Sequence, residues 1–169
     1  MESNVVQADL QTAQPGQIVI LIAEDEVRVR EFARNMLQAD GYFVLTAGDG
    51  ELALAISRQF PGTIHILLSD VKMPNLDGLG LRRIILEERP GIRVLLMSGY
   101  VENLAEDIAF LAKPFLPAVL RQRIHELHEP RAERFRRAET SHAKIANVQV
   151  SRMGNPGLDD GGYLHGRCW

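Results

Sequence analysis

The sequence predicts an α/β protein: a doubly wound, five-stranded parallel sheet in the order 2-1-3-4-5, with helices on both faces. Three observations carry this. Short apolar runs recur along the chain, beginning with Ile18–Ala23, which is rich in β-branched residues. Segments of helical period separate them. Turn residues punctuate the junctions, as at Asp49–Gly50, Pro61–Gly62 and Pro90–Gly91. A wholly apolar strand suits a sheet buried on both faces, and right-handed crossovers follow.

The elements read in order as follows. Residues 1–17 are polar and include Pro15–Gly16, which predicts a flexible leader. Ile18–Ala23 is the first strand. Val27, Val29, Phe32, Ala33, Met36 and Leu37 mark a helix that ends before Gly41. Phe43–Thr46 is the second strand, and Glu51–Gln59 a helix with Leu52, Ala55 and Ile56 inward. Ile64–Ser69 is the third strand, ending at Asp70; Leu79–Glu88 is the next helix. Ile92–Met97 is the fourth strand and Ala109–Ala112 the fifth. Between them, residues 101–108 leave room for a short helix only. Leu116–Leu127 is the last helix, with Val119, Leu120, Ile124 and Leu127 on one face. The domain therefore spans 18–128. Residues 129–169 lack a second apolar core and read as a polar tail, partly helical through the Arg/Glu-rich stretch 131–139 or disordered.

Composition narrows the function classes. The 169 residues carry 19 Lys plus Arg against 22 Asp plus Glu, a net charge of -3. That balance argues against direct nucleic-acid binding. A single cysteine, Cys168, excludes an internal disulfide framework and a Cys-rich zinc site. The longest apolar run is too short to cross a membrane, and the N-terminus lacks a secretory pattern. A cytoplasmic location is the expectation. Gly48 and Gly50 do not form a dinucleotide fingerprint.

Function in such a sheet gathers beyond the C-terminal strand ends. The first strand delivers Glu24 and Asp25 there, the third Asp70, the fourth Ser98 and the fifth Lys113. Acids at strand ends are often simple helix caps. Three converging on one point repel one another unless a cation joins them. Oxygen-only donors favour a hard ion, Mg²⁺ first. With a hydroxyl and an amine opposite, the set points to phosphoryl handling rather than to a hydrolytic triad.

The chain resembles the receiver domain of two-component response regulators, the CheY-like, flavodoxin-like superfamily. The resemblance runs from about Ile18 to Leu127. It rests on ILIAEDE ending at Glu26, LLSDVKMPNLDG at Leu67–Gly78, MSGY at Met97–Tyr100 and FLAKPF at Phe110–Phe115. It implies that Asp70 is the phosphoacceptor. It implies that Asp25 holds Mg²⁺ directly and Glu24 through water, with Asp70 and the backbone carbonyl of Lys72 as further ligands. Ser98 and Lys113 then contact the phosphoryl group, and Phe110 is the aromatic switch that turns inward. Pro74, Gly78 and Pro114 are structural positions, Pro114 following a cis peptide bond.

The resemblance further implies a phosphoryl group received from a histidine kinase or histidine phosphotransfer protein, and a conformational switch read by a protein partner. Self-phosphorylation and dephosphorylation would be weak and Mg²⁺-dependent, not the turnover of an enzyme. Homodimerisation is a further expectation. The leading expectation is a stand-alone receiver. The alternatives are a receiver belonging to a hybrid kinase or larger regulator, a non-phosphorylated binding module, and a Mg²⁺-dependent phosphatase. The last needs a carboxylate two residues beyond the nucleophile, where Lys72 stands.

Two features depart from the family pattern. Ser98 and Lys113 are only 15 positions apart, so the helix between the fourth and fifth strands is shortened. The Lys72 side chain lies within reach of the acceptor or of solvent. Elsewhere, His65 reads as a packed or capping residue and His125 and His128 as surface residues. Phe135 among Arg134, Arg136 and Arg137 reads as a solvated helical extension.

Overall fold

The computed structural model describes residues 13–99 and 108–128. Its elements are β1 (Val19–Ala23), α1 (Val27–Ala39), β2 (Phe43–Ala47), α2 (Gly50–Gln59), β3 (Ile66–Asp70), α3 (Gly78–Glu88), β4 (Arg93–Ser98), β5 (Phe110–Ala112) and α4 (Pro117–His128). The five strands form one sheet in the order β2-β1-β3-β4-β5, and every pairing is parallel. The expected strand order is therefore observed. Only residues 99–109 separate β4 from β5. The shortened helix expected at 101–108 lies, apart from residue 108, outside the described residues, as do the tail from 129 and Cys168.

Alternation along the strands builds two cores, one on each face of the sheet. Val19, Leu21 and Ala23 join Leu67, Ala53, Leu54, Leu81 and Ile85, so α2 and α3 cover one face. Ile20 and Ile22 join Leu68, Ala33, Leu37, Leu120 and Ile124, so α1 and α4 cover the other. All five β1 residues are buried, because β1 is central and has a helix layer on both sides.

Local chemistry sets the helix ends. The Asp49 carboxylate accepts from the Leu52 amide and caps α2; Asp77 accepts from the Gly80 amide and caps α3. Pro117 opens α4, where a missing amide hydrogen costs no helical bond. The Arg89 guanidinium finishes α2 from a distance. It donates to the Ser57, Phe60 and Gly62 carbonyls and to Ser57 Oγ.

Four apolar residues from the helical patterns are exposed: Val27, Phe32 and Val119, which marked helices by their spacing, and Leu52, which was expected inward. In α1 the buried stripe is narrow, Ala33, Met36 and Leu37, and Phe32 lies on its flank. In α2 the buried residues are Gly50, Ala53, Leu54 and Ser57, which turns Leu52 outward. Two small or polar residues face the core there for tertiary reasons. A Cβ on Gly50 would stand 2.1 Å from the Leu76 carbonyl oxygen, and Ser57 is bonded to Arg89.

Residues 13–17, the end of the expected leader, form a turn in which the Gln17 amide donates to the Gln14 carbonyl. The Gln17 side chain donates to the Gly41 carbonyl. No helix among the described residues is long and apolar enough to cross a membrane.

Candidate functional site

Parallel strands bring their C-terminal ends to one edge, and the acidic residues follow from that. Glu24 and Asp25 come directly after β1, Asp70 ends β3, Ser98 ends β4, and Lys113 follows β5. β1 and β3 are neighbours, with Ala23 opposite Ser69, so the three acids are adjacent in space. One carboxylate oxygen from each of Glu24, Asp25 and Asp70 lies within 4.8 Å of the others. Glu24 is fully buried, Asp70 half-buried and Asp25 exposed.

Lys113 closes the group. Its Nζ donates to Glu24 Oε2 at 2.6 Å and to Asp70 Oδ2 at 2.8 Å. The backbone delivers it there. The Lys113 amide donates to the Ser98 carbonyl at 2.8 Å, one step beyond the last β4–β5 pair, and the Lys113–Pro114 peptide is cis. The cis bond expected from the resemblance is thus present.

Electrostatics follow from burial. Desolvation raises the Glu24 pKa above its ordinary value, against the opposing pull of Lys113. Burial alone would lower Lys113; its hydrogen bonds to Asp70 and Glu24 outweigh that and raise it. Lys113 is therefore a held ammonium, and one cation already faces two of the three acids.

The loop after Asp70 is packed with little tolerance. The Gly78 amide donates to the Val71 carbonyl. A Cβ on Gly78 would stand 2.1 Å from the Asp70 carbonyl oxygen, so close approach requires glycine there. Ser69 Oγ donates to the same carbonyl, and the Lys72 amide donates to Asp70 Oδ1 at 3.4 Å. The Lys72 side chain is exposed. Pro74 is exposed on this loop and its carbonyl accepts from the Leu76 amide. Asn75 takes a positive φ of 64° and donates to Asp49 Oδ2.

Ser98 is buried at the same edge, and Phe110 is half-buried in β5 opposite Leu96. Glu24, Asp25, Asp70 and Lys113 are thus brought into contact range, while Ser98 shares their edge through strand register. His65 accepts from the Val19 amide through Nδ1, at the opposite edge, as a packed residue. His125 and His128 are exposed.

Sequence reading missed three contributors. Arg30 donates to the Glu24 and Asp25 carbonyls. Asp49 ties α2 to the loop after Asp70 through Asn75. A groove of about 460 Å³ runs beside Lys113, lined by Arg28, Val29, Phe32, Pro114 and Phe115. The exposed Phe32 was the signal for the groove: an aromatic within a helical apolar pattern that the core leaves uncovered.

The donor set fits a divalent hard cation. The available ligands are oxygen atoms from carboxylates, close enough to share one ion, and Lys113 already answers part of their charge. The comparisons agree with this geometry. The model of the response regulator receiver domain matches residues 20–125. The chain is similar to the sensor kinase CckA of Brucella abortus (strain 2308), 37% identical over 121 residues, which is 68% of this chain and 13% of the kinase. It is also similar to the probable transcriptional regulator ycf27 of Cyanidium caldarium, 29% identical over 151 residues, covering 83% of this chain and 56% of that protein. Both relatives are therefore longer than the part this chain spans. Among solved structures, the receiver domain of the hybrid histidine kinase CckA is 39% identical with a TM-score of 0.56, covering 66% of this chain and 99% of that one. Receiver domains act by reversible phosphorylation rather than by enzymatic turnover, and the acidic edge suits that chemistry. By fold, site and family match together, this chain belongs to the response regulator receiver domain family.

Proposed function

We propose that Asp70 accepts a phosphoryl group from a phosphohistidine, and that the receiver is of the kind built into hybrid sensor kinases and larger regulators. The observation that carries the acceptor role is the position of Asp70 within one cluster of Glu24, Asp25 and Lys113. Similarity to a sensor kinase over 68% of the chain favours the hybrid-type setting over a stand-alone relay.

The chemistry is an in-line transfer. An Asp70 carboxylate oxygen attacks phosphorus, the bond from histidine nitrogen to phosphorus breaks, and the imidazole leaves with the electron pair. The product is an acyl phosphate, which water hydrolyses to the Asp70 carboxylate and inorganic phosphate. Lys113 stays charged and half-buried, so its ammonium can turn from the carboxylate to the phosphoryl oxygens. Glu24, Asp25, Asp70 and the Lys72 carbonyl would hold Mg²⁺, which when bound offsets the negative charge of carboxylates and phosphoryl group. Ser98, buried at the end of the adjacent strand, would donate its hydroxyl to the phosphoryl group, and Phe110 would repack behind it.

Gly78 lets the loop after Asp70 pass close against the Asp70 carbonyl. The donor is a histidine kinase or a phosphotransfer protein, and the groove beside Lys113 gives it apolar contact next to the acceptor. A protein partner reads the switch. The added phosphoryl charge biases a two-state equilibrium that exists without it.

Incubation with acetyl phosphate and Mg²⁺, followed by intact mass, tests the reading. Wild type gains one phosphoryl group and Asp70→Ala gains none. Equal gain in both moves the acceptor elsewhere, and gain in neither points to a binding module that is not phosphorylated.

A further inference from the structure

The acidic pair of the site lies on a loop, and a loop needs something to hold its carbonyls. β1 ends at Ala23 and α1 begins at Val27. The Glu24 amide still donates to the Ala47 carbonyl, as the last bond of the sheet edge. Beyond it the Glu24 and Asp25 carbonyls leave the ladder. Unpaired carbonyls there would let the peptide planes turn, and the two carboxylates turn with them.

Arg30 supplies the missing donors. It stands in the first turn of α1, and helical side chains lean toward the N-terminus, which directs its long stem back over the loop. Its Nη1 donates to the Glu24 carbonyl at 2.5 Å and to the Asp25 carbonyl at 3.3 Å. The same nitrogen lies 3.7 Å from where a Cβ on Gly48 would stand, so the guanidinium sits close to the β2–α2 loop. Around Glu24 the holding is complete. Its amide is on Ala47, its carbonyl on Arg30, Oε1 on the Glu26 amide at 3.3 Å, and Oε2 on Lys113.

The geometry points to Arg30 as a positioning residue: by clamping two successive carbonyls it fixes the peptide that aims the Glu24 and Asp25 carboxylates at a divalent cation. This rests on the reading of the site given above. Arg30 works through backbone and would not touch the ion or the phosphoryl group. Both bonds come from the one terminal nitrogen, so a lysine ammonium keeps the charge and can reach the same carbonyls in part, from a shorter and more flexible stem.

Two effects of removing Arg30 have opposite signs, so a net weakening reports loss of the clamp and not loss of charge. Loss of a nearby positive charge strengthens cation binding, whereas loss of the clamp weakens it. Mn²⁺ binding to the full chain, read by electron paramagnetic resonance of the free ion, separates them. Arg30→Met weakens Mn²⁺ binding about tenfold, the usual scale for residues that orient metal ligands. Arg30→Lys falls between Met and wild type. Thermal melting without metal runs in parallel, and Arg30→Gln replaces Arg30→Met if the latter does not fold.

Unchanged or tighter Mn²⁺ binding in a folded Met or Gln variant overturns the positioning role, and a lowered melting temperature with unchanged affinity marks a purely structural residue. The wild-type arm is separate. Failure of wild type to bind Mn²⁺ overturns the cation site itself, and with it the role assigned to Arg30.

Discussion

The two edges of the sheet use charge differently. At the C-terminal edge, charge meets charge: Lys113 pairs with Glu24 and Asp70, and a third carboxylate, Asp25, lies alongside. At the N-terminal edge, apart from an exposed Arg58–Glu88 ion pair, charged and titratable groups meet backbone. Arg89 donates to three carbonyls around the end of α2, Arg93 donates to the Leu127 carbonyl, and His65 accepts from the Val19 amide. The second edge completes helices and strands. The first keeps an excess of acid over base, and this excess suits a divalent cation. Chemistry is therefore found where the fold leaves charge uncompensated, not simply where charged residues are dense.

Breaking the C-terminal edge has the largest effect. Lys113→Met lowers the rate of phosphorylation by acetyl phosphate about 100-fold, the scale for loss of one positioned donor at a developing charge. A rate within a factor of a few of wild type, measured by intact mass at saturating Mg²⁺, would remove Lys113 from the transfer and blur the contrast between the edges.

The N-terminal edge should respond in stability rather than chemistry. Arg89→Leu strips donors from several carbonyls at the end of α2 and costs about 3 kcal/mol in urea unfolding. The folded variant still phosphorylates at close to the wild-type rate. A large fall in that rate would mean that the two edges are coupled through α2 and Asp49.

The smallest effect sharpens the same contrast through pH. Burial, and the nearby His128, hold the His65 pKa below its ordinary value of 6.5. Arg89 and Arg93 line the same cleft, so protonation of His65 would add to positive charge as well as remove the acceptor used by Val19. The unfolded chain takes up this proton first as pH falls. The stabilisation is fully present above 6.5 and is lost as pH drops below it toward the folded value. His65→Gln keeps an acceptor and does not titrate, so its melting temperature should fall less between pH 7 and about 5.5. Parallel profiles for the two proteins would assign that slope to other groups.

Much of the fold could be read residue by residue, because buried parallel strands leave an unmistakable pattern. All five residues of β1 are apolar for a local reason with a global cause: both faces are covered. The helices were harder. Leu52 was expected inward on period alone, yet α2 turns Gly50 and Ser57 to the core. That rotation depends on the approach of Leu76 and on Arg89, residues 26 and 32 positions from the small ones they meet. A periodicity argument weighs side-chain hydrophobicity and has no access to such partners. The same limit hid Arg30, which looked like one more charged residue on an amphipathic helix.

The strand runs, their alternation with helices and the acids placed just past the strands determined, unaided, which residues meet at one edge, since a parallel sheet collects its C-terminal ends. Only the tertiary structure decided how they meet. The Lys113 ammonium lies between two carboxylates that are 89 and 43 residues away in sequence. Arg30 holds the loop that carries two of the acids. Local propensity acts over a few residues, whereas hydrogen bonds and ion pairs require positions within about 3 Å, which only the packed sheet and its covering helices supply.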